Sequence, residues 1–353
     1  MIIKGRGRVS DIQIGCTDKP FIIAEMSGNH NQSLDRALEM VDVAADAGVS
    51  AVKLQTYTAD TITLDIKENE FLIKDENSLW GGRSLYDLYQ EAHTPWDWHE
   101  PIMQRASNRG LLCFSTPFDE TAVDFLETLD VPIYKVASFE NSHQPLIKKI
   151  AATGKPVIVS TGMASIAELS ETVSTLRDGG CENLVLLKCT STYPASPTDS
   201  NVLTIPHLRQ LFKCEVGLSD HTMGIGAAIA AVAHGATVIE KHFTLRRRDG
   251  GVDSAFSMEP DELKMLVVEA TQAWQSLGDV TYGCIDVEKD SVVFRRSLYI
   301  SRSIKKGECL DESNLRIVRP GLGLAPKYYE IVLGRKVSCD LQKGMALTWD
   351  AIE

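Results

Sequence analysis

The chain has 353 residues, 44% of them hydrophobic and 24% charged, with a formal net charge of -12 at pH 7. That length and balance suit one large globular domain with a substantial core plus a small one. The acidic balance and the absence of any long Lys/Arg block exclude a basic stripe for nucleic acid or an anionic membrane, so an anionic substrate must be held by a local pocket.

The N-terminal text "MIIKGRGRVSDIQIG" has no apolar run ending in a small-residue cleavage site, so no signal peptide is expected. No apolar stretch approaches the ~20 residues of a transmembrane helix. The eight cysteines are scattered and form no CxxC pair, which fits reduced thiols and a cytoplasmic location.

From residue 21 a rhythm begins. Short apolar runs predict strands at 21–25, 51–55, 111–115, 132–137, 156–160, 184–188, 215–219 and 237–242. Helical periodicity follows several of them, as in 34–48, 119–129 and 225–235, the first and third of these ending on glycine. Eight such units predict a (β/α)₈ barrel, the TIM-barrel class of α/β fold, with an open doubly wound sheet as the alternative. No Gly-rich dinucleotide fingerprint follows the first strand, and polar residues collect at the strand ends, where a barrel gathers its active site.

Side chains alternate along a strand. In "TVIEKH" that puts Val238, Glu240 and His242 on one face and Lys241 on the other. The inward set ends on an imidazole at the barrel mouth, and the same parity turns Ile23, Glu25, Lys53 and Gln55 inward. "GLSDHT" ends the seventh strand with His221. Neighbouring strands lie ~4.8 Å apart, so His221 and His242 are a candidate pair of ligands for one divalent ion such as Mn²⁺. Asp220 and Glu240 are candidate acceptors behind the rings, and His30 in "SGNHN" is a third ligand candidate.

Facing the pair, Lys53, Thr116, Lys135, Ser138, Ser160 and Lys188 supply cationic and hydroxyl groups. Buried lysines need an anionic partner: a substrate phosphate or carboxylate, or an internal acid such as Glu25 or Glu140. The long segment 58–93 after the second strand carries Trp80, Tyr86 and Tyr89, with Trp96 just beyond, surfaces suited to a sugar or a small apolar group. Arg83 in the same segment is a candidate for reaching an anion.

After residue 283 the rhythm stops. "SRSIKKGECL" and "SCDLQKGMAL" share an I/L-x-K-G-x-x-L core at Ile304–Leu310 and Leu341–Leu347, a short internal pseudo-repeat. The expected organisation is a catalytic barrel over 1–282, a linker over 283–296 and a small β-rich domain over 297–353.

The ordered motifs "FIIAEMSGNHNQSLDRA", "AVKLQT", "FSTPFD", "YKVAS", "STGMA", "KCTSTYP", "GLSDHT", "EKHFTL" and "RRSLYI…IKKGE…NLRIVRPGLG" together resemble the sialic acid synthase family. The resemblance covers nearly the whole chain. It implies a TIM barrel followed by an antifreeze-like (SAF) domain, and condensation of phosphoenolpyruvate with the open-chain aldehyde of an N-acetylated sugar. The "LWGGRSLYDLYQEAHTPWDWH" segment is similar to that of the branch whose sugar is an N-acetylated deoxyhexose.

Residue by residue, the resemblance implies that His221 and His242 hold a divalent metal ion (Mn²⁺, Co²⁺ or Mg²⁺) and that Glu25 is the acid/base group. It implies that Lys53, Thr116, Lys135, Ser138 and Ser160 hold the phosphate and carboxylate, with Gln55, Tyr193 and Asp253 around the sugar and Glu140 beside the substrates. It also implies a domain-exchanged homodimer in which Arg319 of "RPG" reaches the other subunit's site. A metal-dependent aldolase on the same barrel would use similar groups but release no phosphate. A carbohydrate- or ice-binding module would leave the polar barrel mouth without a use.

Overall fold

The computed structural model describes residues 1–5, 7–75 and 78–353. Two compact units divide the chain, Met1–Gly278 and Asp279–Glu353.

In the first unit a hairpin of β1 (Ile2–Ile3) and β2 (Ile12–Gln13) precedes eight parallel strands. These are β3 (Phe21–Glu25), β4 (Ala51–Thr56), β5 (Leu112–Pro117), β6 (Tyr134–Val136), β7 (Val157–Ser160), β8 (Leu184–Cys189), β9 (Glu215–Asp220) and β10 (Val238–His242). They neighbour one another in chain order, and β10 pairs back onto β3 to close a barrel. All eight expected strands are present, and the open-sheet alternative is excluded by that closure. The strand β6 is shorter than expected because Pro132 cannot donate to the ladder and Ala137 already leads into the 3₁₀ turn Ser138–Glu140.

Alternation sorts the barrel into two cores. Phe21, Ile23, Ala51, Leu112, Phe114, Val185, Leu187 and Val238 form the inner one, with Ile3 and Ile14 of the hairpin packed into it. Ile22, Val52, Leu54, Tyr134, Leu186 and Ile239 belong to the outer one, shared with the helices. Helix Leu34–Ala47 shows why its sequence folds there. Ser33 accepts from the Arg36 N–H at its start, and Ala37, Met40, Val41, Ala44 and Ala47 bury one stripe. Gly48 stops it at φ +84°, a left-handed conformation that costs glycine little.

The segment after β4 is more ordered than a loop. It holds helix Leu85–Ala92, started by the Ser84 hydroxyl accepting from the Asp87 N–H.

The second unit contains an antiparallel pair, β11 (Ser297–Ile300) and β12 (Leu315–Val318). Its pseudo-repeat is a structural one. Ile304 and Leu341 exchange backbone hydrogen bonds of 2.9 Å in both directions, and Ile304, Leu310, Leu341 and Leu347 share one core. Both KG turns place their glycine in the left-handed region, Gly307 at φ +82° and Gly344 at φ +93°. The second glycine after Arg319 permits a close approach: a Cβ on Gly323 would lie 2.5 Å from the Leu298 carbonyl oxygen. Among the described residues no helix is long and apolar enough to cross a membrane, and all eight cysteines are free.

Candidate active site

The inward-facing ends of the barrel strands build a charged floor. Glu25 at the end of β3 pairs with Lys53 of β4 at 2.7 Å, and Gln55 donates to the other Glu25 oxygen at 2.9 Å. Lys53 also donates to Thr116 of β5 at 3.1 Å. Lys135 of β6 donates to Ser160 of β7 at 2.7 Å. Glu240 of β10 lies between the two lysines, 3.9 Å from Lys53 and 3.8 Å from Lys135, and accepts from Ser219 at 3.2 Å.

All four charged groups are buried, and they titrate apart. Burial pushes Glu25 up to about 7; Lys53 opposes that shift and the Glu240 carboxylate adds to it. In Glu240 burial is overcome by Lys135 and Lys53, which hold it below the ordinary glutamate value. Burial also lowers Lys135, against the pull of Glu240. In Lys53 the Glu240 and Glu25 carboxylates outweigh burial and raise it. One acid therefore shares a proton with solvent near neutrality while its neighbour remains an anion.

Above this floor His221 and His242 sit with ring centroids 5.3 Å apart. The His221 Nδ1 is 3.0 Å from the Thr190 carbonyl, which fixes Nδ1–H as donor and leaves Nε2 as a free acceptor. His242 is held well below the ordinary histidine value by burial first, with its neighbours His221, Lys53 and Lys241 adding to that shift. Its Nδ1 is buried with no hydrogen-bond partner and lies 3.7 Å from the Asp253 carboxylate. Asp253 accepts from Ser27, and Tyr193 packs on His221 at 4.5 Å. A neutral imidazole with an unpartnered nitrogen, beside a second imidazole with a free nitrogen, is a donor set that fits one divalent cation. Among the described residues no cluster of three or more His, Cys, Asp or Glu has metal-binding spacing; the histidine pair is a candidate donor set of two.

The structure corrects several expectations. Asp220 is not behind the His221 ring: it points outward to Lys241 at 2.8 Å, the phase opposite to Ser219. His30 is no ligand, because its Nε2 meets Thr94 at 3.2 Å and its Nδ1 accepts from the Gln32 N–H at 3.2 Å. Burial, and then His93 and His99, push it down to about 4. Lys188 faces outward as its neighbour Leu187 faces in, and donates to the Cys189 carbonyl at 2.9 Å and Thr190 at 3.0 Å. Arg83 is bound to Glu91 at 2.6 Å, Tyr86 to Asp60 at 3.0 Å, and Trp96 stacks on Phe125 at 4.6 Å.

The cavity over the floor measures about 600 Å³. Glu25, Lys53, Gln55, Lys135, Ser138, Glu140, Ser160, Tyr193, His221, His242 and Asp253 all line it. Thr116 stands just below, against Lys53. Arg319 belongs to the second unit. One wall is apolar, made by Ile62, Ile73, Leu85, Leu88, Tyr89 and Trp80. Trp80 donates to the Val252 carbonyl at 2.8 Å and meets Tyr193 at 5.8 Å, joining the segment after β4 to the loop after β10. Sequence reasoning missed Ser27, Cys189 and Ser219 among the lining groups. The period-two parity that selected His221 also marks Ser219, and from Leu187 it marks Cys189.

Glu140 has its own titration. One carboxylate oxygen is buried without a partner, and burial, opposed by Lys135, pushes the group up to about 7 from 4.5. Folded Glu140 therefore keeps its proton where the unfolded chain has lost it. This stabilises the fold fully below about pH 4.5, and the contribution is lost as pH rises through about 7. Thermal midpoints of wild type and Glu140→Gln, measured across this range, should differ by an amount that drifts against wild type until about pH 7 and then levels. A difference independent of pH would contradict the assignment.

Comparison with known proteins follows the same geometry. The NeuB family model matches residues 40–282, and the SAF domain model matches residues 295–353. Pseudaminic acid synthase of Campylobacter jejuni subsp. jejuni serotype O:2 is 46% identical over 94% of this chain and 96% of that protein. Pseudaminic acid synthase of Helicobacter pylori is 42% identical over 95% of this chain and 98% of that protein. The crystal structure of N-acetylneuraminic acid (sialic acid) synthetase from Leptospira borgpetersenii, in complex with citrate, superposes with a TM-score of 0.72 at 32% identity. It covers 82% of this chain and 96% of that one.

Proposed function

The chain belongs to the NeuB family, and from that premise we propose that it is a pseudaminic acid synthase working in the cytoplasm. The reaction joins C3 of phosphoenolpyruvate to the aldehyde carbon of 2,4-diacetamido-2,4,6-trideoxy-L-altrose, adds water at C2 and releases phosphate. The observation that carries the reading is the juxtaposition in one cavity of a two-lysine floor and a pair of histidines with free nitrogens.

Lys53 and Lys135, with the hydroxyls of Thr116, Ser138 and Ser160, seat the phosphate and carboxylate, whose charge the lysines balance in place of Glu25 and Glu240. Glu25, pushed up to about 7, has its carboxylate form available near neutrality, and that carboxylate takes a proton from the water as it adds at C2. Gln55 orients that carboxyl from 2.9 Å. Tyr193 and Asp253 position the sugar next to the histidines. His221 and His242 hold a divalent ion, Mn²⁺, Co²⁺ or Mg²⁺, which when bound supplies Lewis-acid polarisation of the aldehyde. In a homodimer Arg319 of one subunit meets the sugar at the other's barrel.

The apolar wall of Ile62, Ile73, Leu85, Tyr89 and Trp80 supports a 6-deoxy sugar, whose methyl group it desolvates at no polar cost. A hydroxyl in that place and a different ring configuration are expected to lower kcat/KM for N-acetylmannosamine by about 100-fold or more. Phosphate release with each sugar, and the mass and NMR spectrum of the nine-carbon product, decide this. Equal turnover of N-acetylmannosamine would move the chain to an N-acetylneuraminate synthase, and a diacetamido sugar of another configuration to a legionaminate synthase.

A further inference from the structure

On the far side of the barrel wall from the cavity lies a buried cation with no role in the reaction described above. Lys241 is 1% exposed and, unlike Glu240 and His242 on either side of it, does not line the cavity. Its ammonium donates to Asp220 at 2.8 Å, to the Thr222 carbonyl at 2.7 Å and to the Gly224 carbonyl at 2.9 Å. An ammonium has three protons, so these contacts saturate it. The second Asp220 oxygen accepts from the Thr222 N–H at 2.9 Å. Every contact of this cluster falls on the turn that leaves β9, and His221 is the residue between Asp220 and Thr222.

A turn so short has little repeating structure of its own to fix it. The His221 carbonyl receives the Ala195 N–H at 3.0 Å, and its ring is held by Thr190 at 3.0 Å. The backbone on either side of it is held by Lys241. Removing that cation leaves a buried carboxylate and two carbonyls without their partner, which is costly in a low-dielectric setting.

We propose that Lys241 is a positioning residue: through Asp220, Thr222 and Gly224 it locks the turn after β9 and so aims the His221 imidazole at the point it shares with His242. His242 follows Lys241 directly in β10, so one residue points out to hold the turn that carries His221 and the next points in to supply the second imidazole. The inference rests on the reading of His221 and His242 as holders of a divalent ion.

The test titrates Mn²⁺ alone into Lys241→Met and Asp220→Asn proteins, with circular dichroism to check the barrel. Displaced supporting groups typically cost 10–100-fold in metal affinity, and a loss of about that size is expected for Lys241→Met. The KM for phosphoenolpyruvate should move by less than about threefold, because Lys53 and Lys135 hang from other strands. In the metal-free protein, nitrogen-15 NMR should show the His221 ring signals shifted well beyond those of His242, which loses only the neighbouring charge of Lys241. A general loosening of the barrel would move KM and both rings together and would overturn the assignment. So would a folded Lys241→Met protein with wild-type Mn²⁺ affinity and unchanged ring signals. If Lys241→Met does not fold, Asp220→Asn decides: it keeps the shape of the carboxylate, and Mn²⁺ affinity equal to wild type would refute the role. Wild-type protein that binds no Mn²⁺ would instead refute the histidine-pair reading itself, an outcome visible before any variant is made.

Discussion

His242→Ala should lower kcat by about a thousandfold or more, since a metal-polarised carbonyl is worth several kcal/mol of transition-state stabilisation and each 1.4 kcal/mol is tenfold. Stability should change much less than activity. The His242 Nδ1 is buried without a partner, a cost of about 1–3 kcal/mol that alanine removes. The cavity left by the ring costs a similar amount in the other direction. His221→Ala should be equally inactive but less stable, because it also abandons the bond to the Thr190 carbonyl. Exhaustive chelation should reproduce the loss in the wild-type enzyme, and Mn²⁺, Co²⁺ or Mg²⁺ should restore it, since an open nitrogen and oxygen site discriminates weakly. A His242→Ala protein retaining a tenth of wild-type turnover, or full activity after chelation, would sink the assignment of the pair.

Mixing two inactive proteins should create an active one. If Arg319 is delivered to the neighbouring barrel, an Arg319→Ala subunit and a His242→Ala subunit form a heterodimer with one intact site and one site carrying both defects. Statistical exchange of equal amounts then restores about a quarter of the wild-type sites. The rise from near zero is read by phosphate release after exchange has been verified by native mass spectrometry. An Arg319 that serves its own barrel leaves every site with one defect, and no activity would return.

The barrel was legible because its strands are buried on both faces and read as apolar runs, and because a two-residue period separates inward from outward side chains. That period alone turns Glu25, Lys53, Gln55 and His242 inward, where they line the cavity. It also contained two corrections. Asp220 lies one residue from the inward Ser219, and Lys188 one residue from the inward Leu187, so both had to face out. His30 was beyond the rule's reach: β3 ends at Glu25, and His30 lies in the 3₁₀ turn Ser27–His30, where the two-residue alternation no longer runs. In the aromatic segment the helical spacing of Leu85, Leu88, Tyr89 and Ala92 marks one face, but nothing in it showed that this face and Trp80 line the cavity while Tyr86 turns to Asp60. Tyr193 and Asp253 sit on loops, so only resemblance had pointed to them, and the cavity that they line is made by chain segments far apart in sequence.

Closure of the barrel by β10 onto β3 sets a timetable for the newborn chain. Phe21 and Ile22 find their register partners only in Val238 and Ile239, roughly two hundred residues later. At about 5–20 residues per second of synthesis, that is a wait of roughly 10–40 s. Throughout it the first strand offers an apolar ladder edge with no partner, the kind of edge that recruits foreign strands. The last barrel strand to be made thus carries, besides a histidine, the end of the barrel's most vulnerable interval.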